Sequence, residues 1–399
     1  MRCLLRNIRS ISRSNLLSFR TILGYQSYFA IYIKEIIMET KIKNKVLATF
    51  VIIVLCICVI MACNNKSDEI MYDSTPVESI EGKVLPVDTI STDGKFAMPS
   101  QMLSIGDSLL VVFDPMGGDE ACLVMNVKGK FIGRLGRRGR ARDELLSPVN
   151  MSKVRDNTIC IYDYSSNKLV TYDVLKVLSG DKASTKVMSC SELFQNVEME
   201  GFALNATLAL SNGNYLLFGN GAKRIVVSDM NTTLSEYNSY PKTDPDDECN
   251  WSIWGNMASF AISPDNKHFI ITTRIGALCE IFEFDGERIK SKTVKGFYPP
   301  KYKIAKGAVP KCVVFGDDAI EGFCTLLALN DRFYTNIGGK DCNFRHELLV
   351  FDYEGQLLEK YILPGDILCM TNIGKVFYLL IEFKDGSTGL CKAILPEME

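Results

Sequence analysis

Short polar turns alternate with short apolar runs along most of the chain, from about residue 79 onward. A polar turn followed by such a run occurs six times, at a mean spacing of about 53 residues. The six copies are DSLLVVFD from Asp107, DNTICIYD from Asp156, NGNYLLFGN from Asn212, DNKHFIITT from Asp265, NDRFYTNIG from Asn330 and IGKVFYLLIEF from Ile373. Short runs rich in β-branched and aromatic residues between turn residues are typical of β-strands, and their fixed spacing indicates a structural repeat.

Each copy is flanked by two further strand-like runs. The preceding runs are QMLSI, NMSKV, TLALS, SFAIS, CTLLAL and ILCMT, and the following ones are ACLVMN, KLVTYD, RIVVSD, LCEIFEFD, ELLVFD and GLCKAIL. Three units continue through a tight turn into a fourth strand, in NVKGKFIGRL, FDGERIKSK and DYEGQLLEKYIL. Six units of four short antiparallel strands predict an all-β fold, a six-bladed β-propeller. The alternative is a β-sandwich or two β domains built from unrelated hairpins.

The last unit lacks a fourth strand of its own. It ends at GLCKAIL, whereas a spare strand-like segment, SIEGKVLPVDT from Ser79 to Thr89, precedes the first unit. We predict that this N-terminal segment completes the last blade, because a closed ring leaves no exposed sheet edge there. The propeller is then expected to cover residues 78–397.

An apolar run of 17 residues lies between Lys45 and Cys63. It is shorter than the roughly 20 residues that span a bilayer and longer than the apolar core of most secretory signals, about 7–15 residues. Three lysines precede it in METKIKNK. Ile60-Met61-Ala62-Cys63 resembles the lipobox of bacterial lipoproteins, in which the cysteine is lipidated and becomes the new N-terminus. We predict a signal peptide over residues 38–62 and a lipid anchor on Cys63; the alternative is an uncleaved anchor helix.

The segments around this signal carry less pattern. Residues 1–37 contain scattered arginines, and we interpret them as a non-native extension before a true start at Met38; the alternative is an unusually long N-terminal region of the signal peptide. Residues 63–77 are predicted to form a flexible tether. Its first part, NNKSDE, resembles the acidic export signals of surface lipoproteins of Bacteroidetes. The expected location is therefore the cell envelope, as an outer-membrane lipoprotein that faces either the periplasm or the cell surface.

The net charge and the spacing of the cysteines limit which functions the protein can have. The net charge of the whole chain is −2, but residues 1–45 hold nine Lys/Arg and two Asp/Glu, so the remainder is near −9. An acidic domain argues against a nucleic-acid partner, which requires a basic surface. Ten cysteines follow Cys63 and none forms a CxxC pair. Those inside strand-like runs (Cys122, Cys160, Cys279 and Cys391) are expected to be small buried hydrophobes.

Two longer segments carry a family resemblance. FIGRLGRRGRARDELLSP, Phe131 to Pro148, looks like a Gly-rich segment with a Glu before the second blade, and LLVFDYEGQLLEKYIL spans Leu348 to Leu363. Together with the lipobox, they resemble the TolB-like six-bladed propeller lipoproteins of Bacteroidetes. Ala141 and Arg142 stand where that family usually has Gly and Pro. The resemblance implies a fold and a compartment, and it implies little about chemistry.

In a propeller of this topology, three stretches are expected around one rim. They contain Arg137, Arg138, Arg140 and Glu144 in the first, Trp251 and Trp254 in the second, and Tyr298 in the third. Aromatic faces suit sugar rings or peptide side chains, and arginines suit carboxylates, sulfates or phosphates. These residues are candidate ligand-binding groups; the alternative is that the arginines are solvated and the tryptophans cover a blade edge.

Catalysis has weaker support in the sequence. Only His268 and His346 are present, without a nucleophile at a recognisable spacing, and no catalytic residue is predicted. Some six-bladed propeller lactonases bind a divalent cation in the central channel through oxygen ligands. Oxygen-bearing residues that enter the inner strands here, and would suit Ca²⁺ or another divalent cation, are Asn150, Asn205, Asn256, Glu321 and Asp366. The alternative is that Asn and Asp are ordinary turn residues at strand starts.

Three functional hypotheses follow. The first is a binding module, attached to the membrane by its lipid, whose rim holds a glycan, a peptide or a partner protein without a cofactor. The second is a metal-dependent lactonase or lyase with a cation in the central channel. The third is a scaffold within an envelope complex. We favour the first, because the rim combines aromatic and arginine side chains, whereas no spacing motif fixes a metal site.

Overall fold

The computed structural model describes residues 70–72, 77–90, 96–194, 202–221, 223–243, 249–250, 253–254, 258–305, 307, 313–339, 343 and 345–396. The chain from Asp68 to Glu399 forms one compact unit. The predicted signal peptide and Cys63 lie outside the described residues and stay predictions, as do the domain boundaries. Within the described ranges, no helix is both long enough and apolar enough to cross a membrane.

Short strands dominate the structure. The N-terminal segment contributes β1 (Met71–Tyr72), a 3-10 turn (Val77–Ser79), β2 (Lys83–Val84) and β3 (Asp88–Ile90). Blade 1 contains β4 (Gln101–Ile105), β5 (Leu109–Phe113), β6 (Glu120–Asn126) and β7 (Phe131–Arg137). Blade 2 contains β8 (Pro148–Arg155), β9 (Thr158–Asp163), β10 (Lys168–Asp173) and β11 (Thr185–Ser189). Blade 3 contains β12 (Phe202–Ala209), β13 (Tyr215–Gly221), β14 (Ile225–Ser228) and β15 (Thr233–Tyr237).

The second half repeats the same order. Blade 4 contains β16 (Ala258–Ile262), β17 (His268–Thr273), β18 (Leu278–Phe284) and β19 (Ile289–Gly296). A short hairpin follows, β20 (Lys303–Ile304) with β21 (Val313–Val314). Blade 5 contains β22 (Glu321–Ala328), β23 (Arg332–Gly339), β24 (Glu347–Asp352) and β25 (Leu357–Ile362). Blade 6 contains β26 (Gly365–Ile373), β27 (Val376–Phe383) and β28 (Thr388–Ile394). Every neighbouring pair within a blade is antiparallel, which confirms the predicted six-bladed propeller.

Apart from the 3-10 turn at Val77–Ser79, the helical elements named here lie in blade 2 and at its exit. The helix α1 (Val174–Leu178) and a 3-10 turn (Lys182–Ser184) separate β10 from β11, and α2 (Cys190–Leu193) follows β11. Asp173 caps α1, since its side chain accepts a hydrogen bond from the Lys176 N–H. This insertion replaces the tight turn that the other blades use, so the fourth strand of blade 2 has no short-range hairpin signal in the sequence.

Each blade packs both of its faces against neighbours, which explains why the central strands are apolar throughout. In β5, Val111 and Phe113 belong to the core shared with blade 2, whereas Leu110 and Val112 belong to the core shared with blade 6. Side chains alternate between the two faces of a strand, so four consecutive apolar residues supply two cores. The described residues form six such clusters, one for each pair of adjacent blades.

The N-terminal segment closes the ring. Strand β3 pairs antiparallel with β28, with Asp88 opposite Lys392 and Ile90 opposite Leu390, so the predicted closure is confirmed. The earlier part of the predicted segment has a different partner: β2 adds to β25 of blade 5 as a parallel outer strand. In the same way, β1 adds to β19 of blade 4. The N-terminal segment thus pairs first with the outer strand of blade 4, then with that of blade 5, and finally completes blade 6.

Buried carboxylates fix two of the connections that lead into blades. Asp114, fully buried at the end of β5, accepts hydrogen bonds from the N–H groups of Ala97 and Met98, both at 2.8 Å. Asp163 holds the same place at the end of β9 and accepts the N–H groups of Leu146 and Ser147. A carboxylate that satisfies two loop amides holds the loop against the blade.

Candidate functional site

Two connected cavities occupy the centre of the ring. The inner cavity, about 430 Å³, is lined by the middle and far parts of the innermost strands, including Leu103, Ile262 and Leu326. The larger cavity, about 830 Å³, opens at the face where those strands begin, and we call it the mouth. Both cavities are lined by Gln101, Leu208, Ser259, Phe260 and Cys324, so they belong to one central channel.

Loops from several blades form the walls of the mouth. Met98 precedes blade 1, Tyr164 follows β9, Arg274 follows β17 and Arg345 precedes β24. Met98 is 54% exposed and Tyr164 is 53% exposed, whereas Phe260 is half-buried deeper in the channel. Exposed apolar side chains around a concavity, with a few charged groups among them, are typical of a ligand-binding site.

The charged side of the mouth lies at the junction of blades 4 and 5. The Arg345 guanidinium donates two hydrogen bonds to the Glu321 carboxylate, from Nε and Nη2, each at 2.7 Å. Glu321 packs directly over Gly338, where a Cβ would lie 2.0 Å from its Oε2. Two parallel N–H to oxygen bonds fix the planes of both groups, so this ion pair is a rigid feature of the wall.

The neighbouring Arg274 loop is joined to blade 5 through the backbone. The Gly322 N–H donates to the Arg274 carbonyl at 2.6 Å, and the Gly276 N–H donates to the Ile320 carbonyl at 3.0 Å. A Cβ on Gly322 would lie 2.4 Å from the Thr273 carbonyl oxygen, so only glycine permits this approach. The position of Arg274 at the mouth is therefore set by the contact between two blades.

Cys324 lines both cavities but is not a reactive thiol. Burial raises its pKa to about 12, and the nearby Glu321 carboxylate acts in the same direction, against smaller opposite effects of Arg345 and Arg274. A thiol in this state is almost fully protonated at neutral pH and is a poor nucleophile.

The predicted arginine loop forms a separate surface at the outer part of the same face. Glu144 organises it: its carboxylate accepts the Ala141 N–H at 2.9 Å and lies 3.4 Å from the Arg137 Nε. Arg138 donates to the Pro115 carbonyl and is half-buried, whereas Arg137 and Arg140 are exposed. These four residues lie at the end of β7 and in the loop after it, and none of them lines the channel, so their role in ligand binding stays a prediction.

Trp254 requires a correction, because it is only 1% exposed and cannot stack on a ligand at the surface. Its ring lies 5.3 Å from the guanidinium of Arg224, and the Tyr240 ring lies 4.7 Å from the same group. Arg224 in turn pairs with Glu280 of blade 4. The tryptophan therefore covers a buried charge at the junction of blades 3 and 4 instead of forming the rim.

The other aromatic candidates have different outcomes. Trp251 lies outside the described residues and its role stays a prediction. Tyr298 is half-buried and packs against the core between blades 4 and 5, together with Phe297. The structure therefore does not bring Tyr298 and Trp254 into one exposed aromatic surface.

Three of the oxygen-bearing residues proposed as metal ligands, Asn150, Asn205 and Glu321, line the mouth, and two of these have other partners. Asn150 spans blades 2 and 3, since its Nδ2 donates to the Thr207 carbonyl at 2.8 Å and its Oδ1 accepts the Thr207 N–H at 3.4 Å. Both Glu321 oxygens accept hydrogen bonds from Arg345. A cation would have to displace these interactions.

The remaining candidate metal ligands do not form a coordination site among the described residues. Asn205 lines the mouth, and Asp366 lies opposite Glu382 in the blade 6 ladder. Asn256 is outside the described residues. In the ranges the structure describes, no group of three or more His, Cys, Asp and Glu side chains could hold a metal ion. The metal site stays a prediction.

Several residues of the mouth were missed by sequence reasoning. Arg274, Arg345, Met98 and Tyr164 were not among the candidates, although each lies in a loop on the face where the inner strands begin. For Tyr164, Arg274 and Arg345 the available signal was the topology, because loops between the second and third strands of a blade reach the same face as the connections between blades. Met98 lies in the connection from β3 to β4, and no motif marks it in the sequence.

Comparison with known proteins supports the fold but identifies neither a family nor a function. No protein-family model matches the chain, and no curated protein matches its sequence. A Bacteroides fragilis protein named as an exported protein matches 82% of this chain and 98% of its own, with 10% identity and a TM-score of 0.50. At this identity the similarity shows the propeller fold alone.

Two further solved structures are more distant. Regucalcin of Agrobacterium tumefaciens, a calcium-binding protein, matches 79% of this chain and 95% of its own, with 11% identity and a TM-score of 0.45. BamB of Moraxella catarrhalis matches 75% and 74%, with 9% identity and a TM-score of 0.33. We draw no argument from either, and membership of the TolB-like family stays a prediction.

Proposed function

We propose that this protein is a lipid-anchored binding module of the cell envelope, which holds a glycan, a peptide or a partner protein at the loop face of its propeller. The observation that carries this proposal is the mouth. It combines exposed apolar side chains, such as Met98 and Tyr164, with the ordered Glu321–Arg345 pair in one concavity of about 830 Å³. The predicted Cys63 anchor supports the envelope location.

The site has the properties expected of a binding surface. Its walls come from loops of all but the third blade and from the inner strands, so the closed ring fixes them relative to one another. A preorganised concavity loses little conformational entropy when a ligand binds. The arginine loop supplies a second, outer surface on the same face that a larger ligand would reach.

A binding screen with matched variants tests the proposal. The chain from Asp68 onward, which forms a compact unit, is screened against glycans, peptides and metabolites by thermal shift and calorimetry. Met98→Ala and Tyr164→Ala are expected to weaken a ligand at least about fivefold, since each removes apolar area from the mouth. Met116→Ala and Leu175→Ala are the controls, because these side chains are 64% and 46% exposed and lie outside both cavities. Equal binding by all four variants would contradict the proposal.

A further inference from the structure

The mouth contains two arginines, Arg274 and Arg345, which differ in whether a carboxylate neutralises their charge. Arg345 is held by Glu321 in a two-bond ion pair. Arg274 is exposed and, among the residues the structure describes, has no carboxylate partner and no side-chain hydrogen bond. Its backbone, however, is fixed by the Gly322 N–H, which donates to the Arg274 carbonyl at 2.6 Å. The site thus presents a cation whose position is set but whose charge is not neutralised locally.

The charge balance of the mouth favours a ligand with a single negative charge. Arg345 and Glu321 neutralise each other, so Arg274 is the cation left over on this wall. On the blade 6 wall, the exposed Glu382 lies opposite Asp366 in the ladder. A dianion would bring its second charge towards these acids, whereas a monoanion can be bound by Arg274 alone. Planar guanidinium groups suit carboxylates in particular.

Apolar side chains line part of the channel behind Arg274. Phe260 lines both the mouth and the inner cavity, and Leu103, Ile262 and Leu326 line the inner cavity beyond it. All four are half-buried, so part of each side chain faces the channel. A ligand that extends from the mouth inward would bury apolar surface against them, and this burial favours binding.

We propose that Arg274 binds the carboxylate of a ligand whose apolar part lies in the central channel. This inference rests on the proposed function and names the ligand class: a monocarboxylate with an apolar body. Arg274 supplies the charge selectivity and the apolar wall supplies most of the affinity. Arg345 has a positioning role, because its carbonyl accepts a hydrogen bond from the Ile367 N–H at 3.1 Å and its side chain donates to both Glu321 carboxylate oxygens.

Three probes with the same ten-carbon chain test the charge selectivity. Decanoate, decanamide and decylamine are titrated into the chain from Asp68 onward by calorimetry, below the concentrations at which they aggregate. Decanoate is expected to bind at least about fivefold tighter than decanamide, as a charge-assisted hydrogen bond provides, and decylamine is expected to bind more weakly than both. Equal binding of the three probes, or no binding of decanoate, would overturn the inference.

Variants assign the selectivity to one residue. Arg274→Gln should make decanoate and decanamide bind equally well, and Arg274→Lys should restore part of the preference. Arg288→Gln is the matched control, since Arg288 is an exposed arginine of blade 4 outside both cavities; it should leave the preference unchanged. An unchanged preference in Arg274→Gln, or an equal loss in Arg288→Gln, would contradict the role of Arg274.

The two proposals fail in different ways. If Met98→Ala and Tyr164→Ala weaken a ligand from the broad screen but the decanoate preference is absent or independent of Arg274, the mouth is a binding site and the carboxylate inference is wrong. If neither variant affects any ligand, including decanoate, the proposed function fails and the inference fails with it.

Discussion

Glu280 of blade 4 accepts hydrogen bonds from both terminal nitrogens of Arg224 in blade 3, and the two side chains are 0% and 3% exposed. Arg224 also donates to the Ser239 carbonyl at 2.8 Å and contacts the rings of Tyr240 and Trp254. The ion pair therefore joins two blades in a region from which water is excluded. Burial also raises the pKa of Tyr240 to about 12, although the Arg224 charge opposes this effect.

The first prediction follows from this pair. Glu280→Gln leaves the Arg224 charge buried without a counter-ion, so the free energy of unfolding should fall by about 3–5 kcal/mol. The measurement is urea-induced unfolding of the chain from Asp68 onward. Glu359→Gln is the matched control, because Glu359 pairs with the exposed Lys83 and exposed pairs contribute about 1 kcal/mol or less. Similar losses in both variants would contradict a special role for the buried pair.

The second prediction links a buried carboxylate to the mouth. Asp114→Ala leaves the Ala97 and Met98 N–H groups without their acceptor and should lower the free energy of unfolding by about 2–4 kcal/mol. Because Met98 lines the mouth, a ligand of the mouth should also bind more weakly to this variant at a temperature where it is folded. Asp107→Ala, in an exposed turn of the same blade, should affect neither property. If Asp114→Ala lowers the free energy of unfolding but leaves the ligand affinity unchanged, Asp114 does not position the mouth.

The third prediction concerns ring closure. A chain that begins at Phe96 lacks β3, so β28 loses its outer partner and Leu390 and Cys391 lose their cover. We expect a loss of at least about 2 kcal/mol from the missing ladder bonds, together with concentration-dependent association, because an uncovered strand edge pairs with other chains. A chain that begins at Val77 lacks only β1 and should remain monomeric.

Thermal unfolding and light scattering distinguish these two truncations. Equal behaviour of the chains that begin at Phe96 and Val77 would show that β3 does not close the ring in solution.

The fourth prediction is chemical. The pKa of Cys324 is raised from 9.0 to about 12, so its thiolate fraction at pH 8 is about 1,000-fold lower than that of an ordinary thiol. Alkylation of Cys324 by iodoacetamide at pH 8 should therefore be very slow in the native protein, even though the residue lines the cavity. Because the raised pKa favours the protonated form, the rate should increase as the pH rises towards 12.

Mass spectrometry of peptides after timed alkylation measures this rate. The urea-unfolded chain is the control, and in it all cysteines should react quickly. Rapid labelling of native Cys324 at pH 8 would show that its surroundings are more polar than the structure indicates.

The sequence predicted a fourth strand where the turn before it contains Gly, whereas the fourth strand of blade 3, Thr233–Tyr237, follows a tight turn without Gly and was not predicted. Blades 1, 4 and 5 show their fourth strands directly, in NVKGKFIGRL, FDGERIKSK and DYEGQLLEKYIL. The fourth strand of blade 2, Thr185–Ser189, was not found, because α1 and a 3-10 turn separate it from β10. Local hairpin signals depend on short turns, and a helical insertion removes them.

The candidate site was predicted less well, and Trp254 shows why. A tryptophan in a polar loop is compatible with both a ligand platform and a buried cover. The deciding contact is with Arg224, which is 30 positions away in sequence and is adjacent only because blades 3 and 4 pack together. Similarly, Arg274 belongs to no recognisable sequence motif. It becomes a candidate only in the structure, where the Gly322 N–H of the next blade donates to its carbonyl and fixes it at the mouth.

The sequence by itself determined the number of blades, the apolar central strands and the source of the closing strand, because periodicity and turn residues are local properties that repeat along the chain. The tertiary structure decided which charges are paired and which are not. Glu280 meets Arg224 across blades 3 and 4, Glu321 meets Arg345 within blade 5, and Arg274 has no such partner among the described residues. These distances depend on how strands and blades pack in three dimensions, and no local spacing in the sequence encodes them.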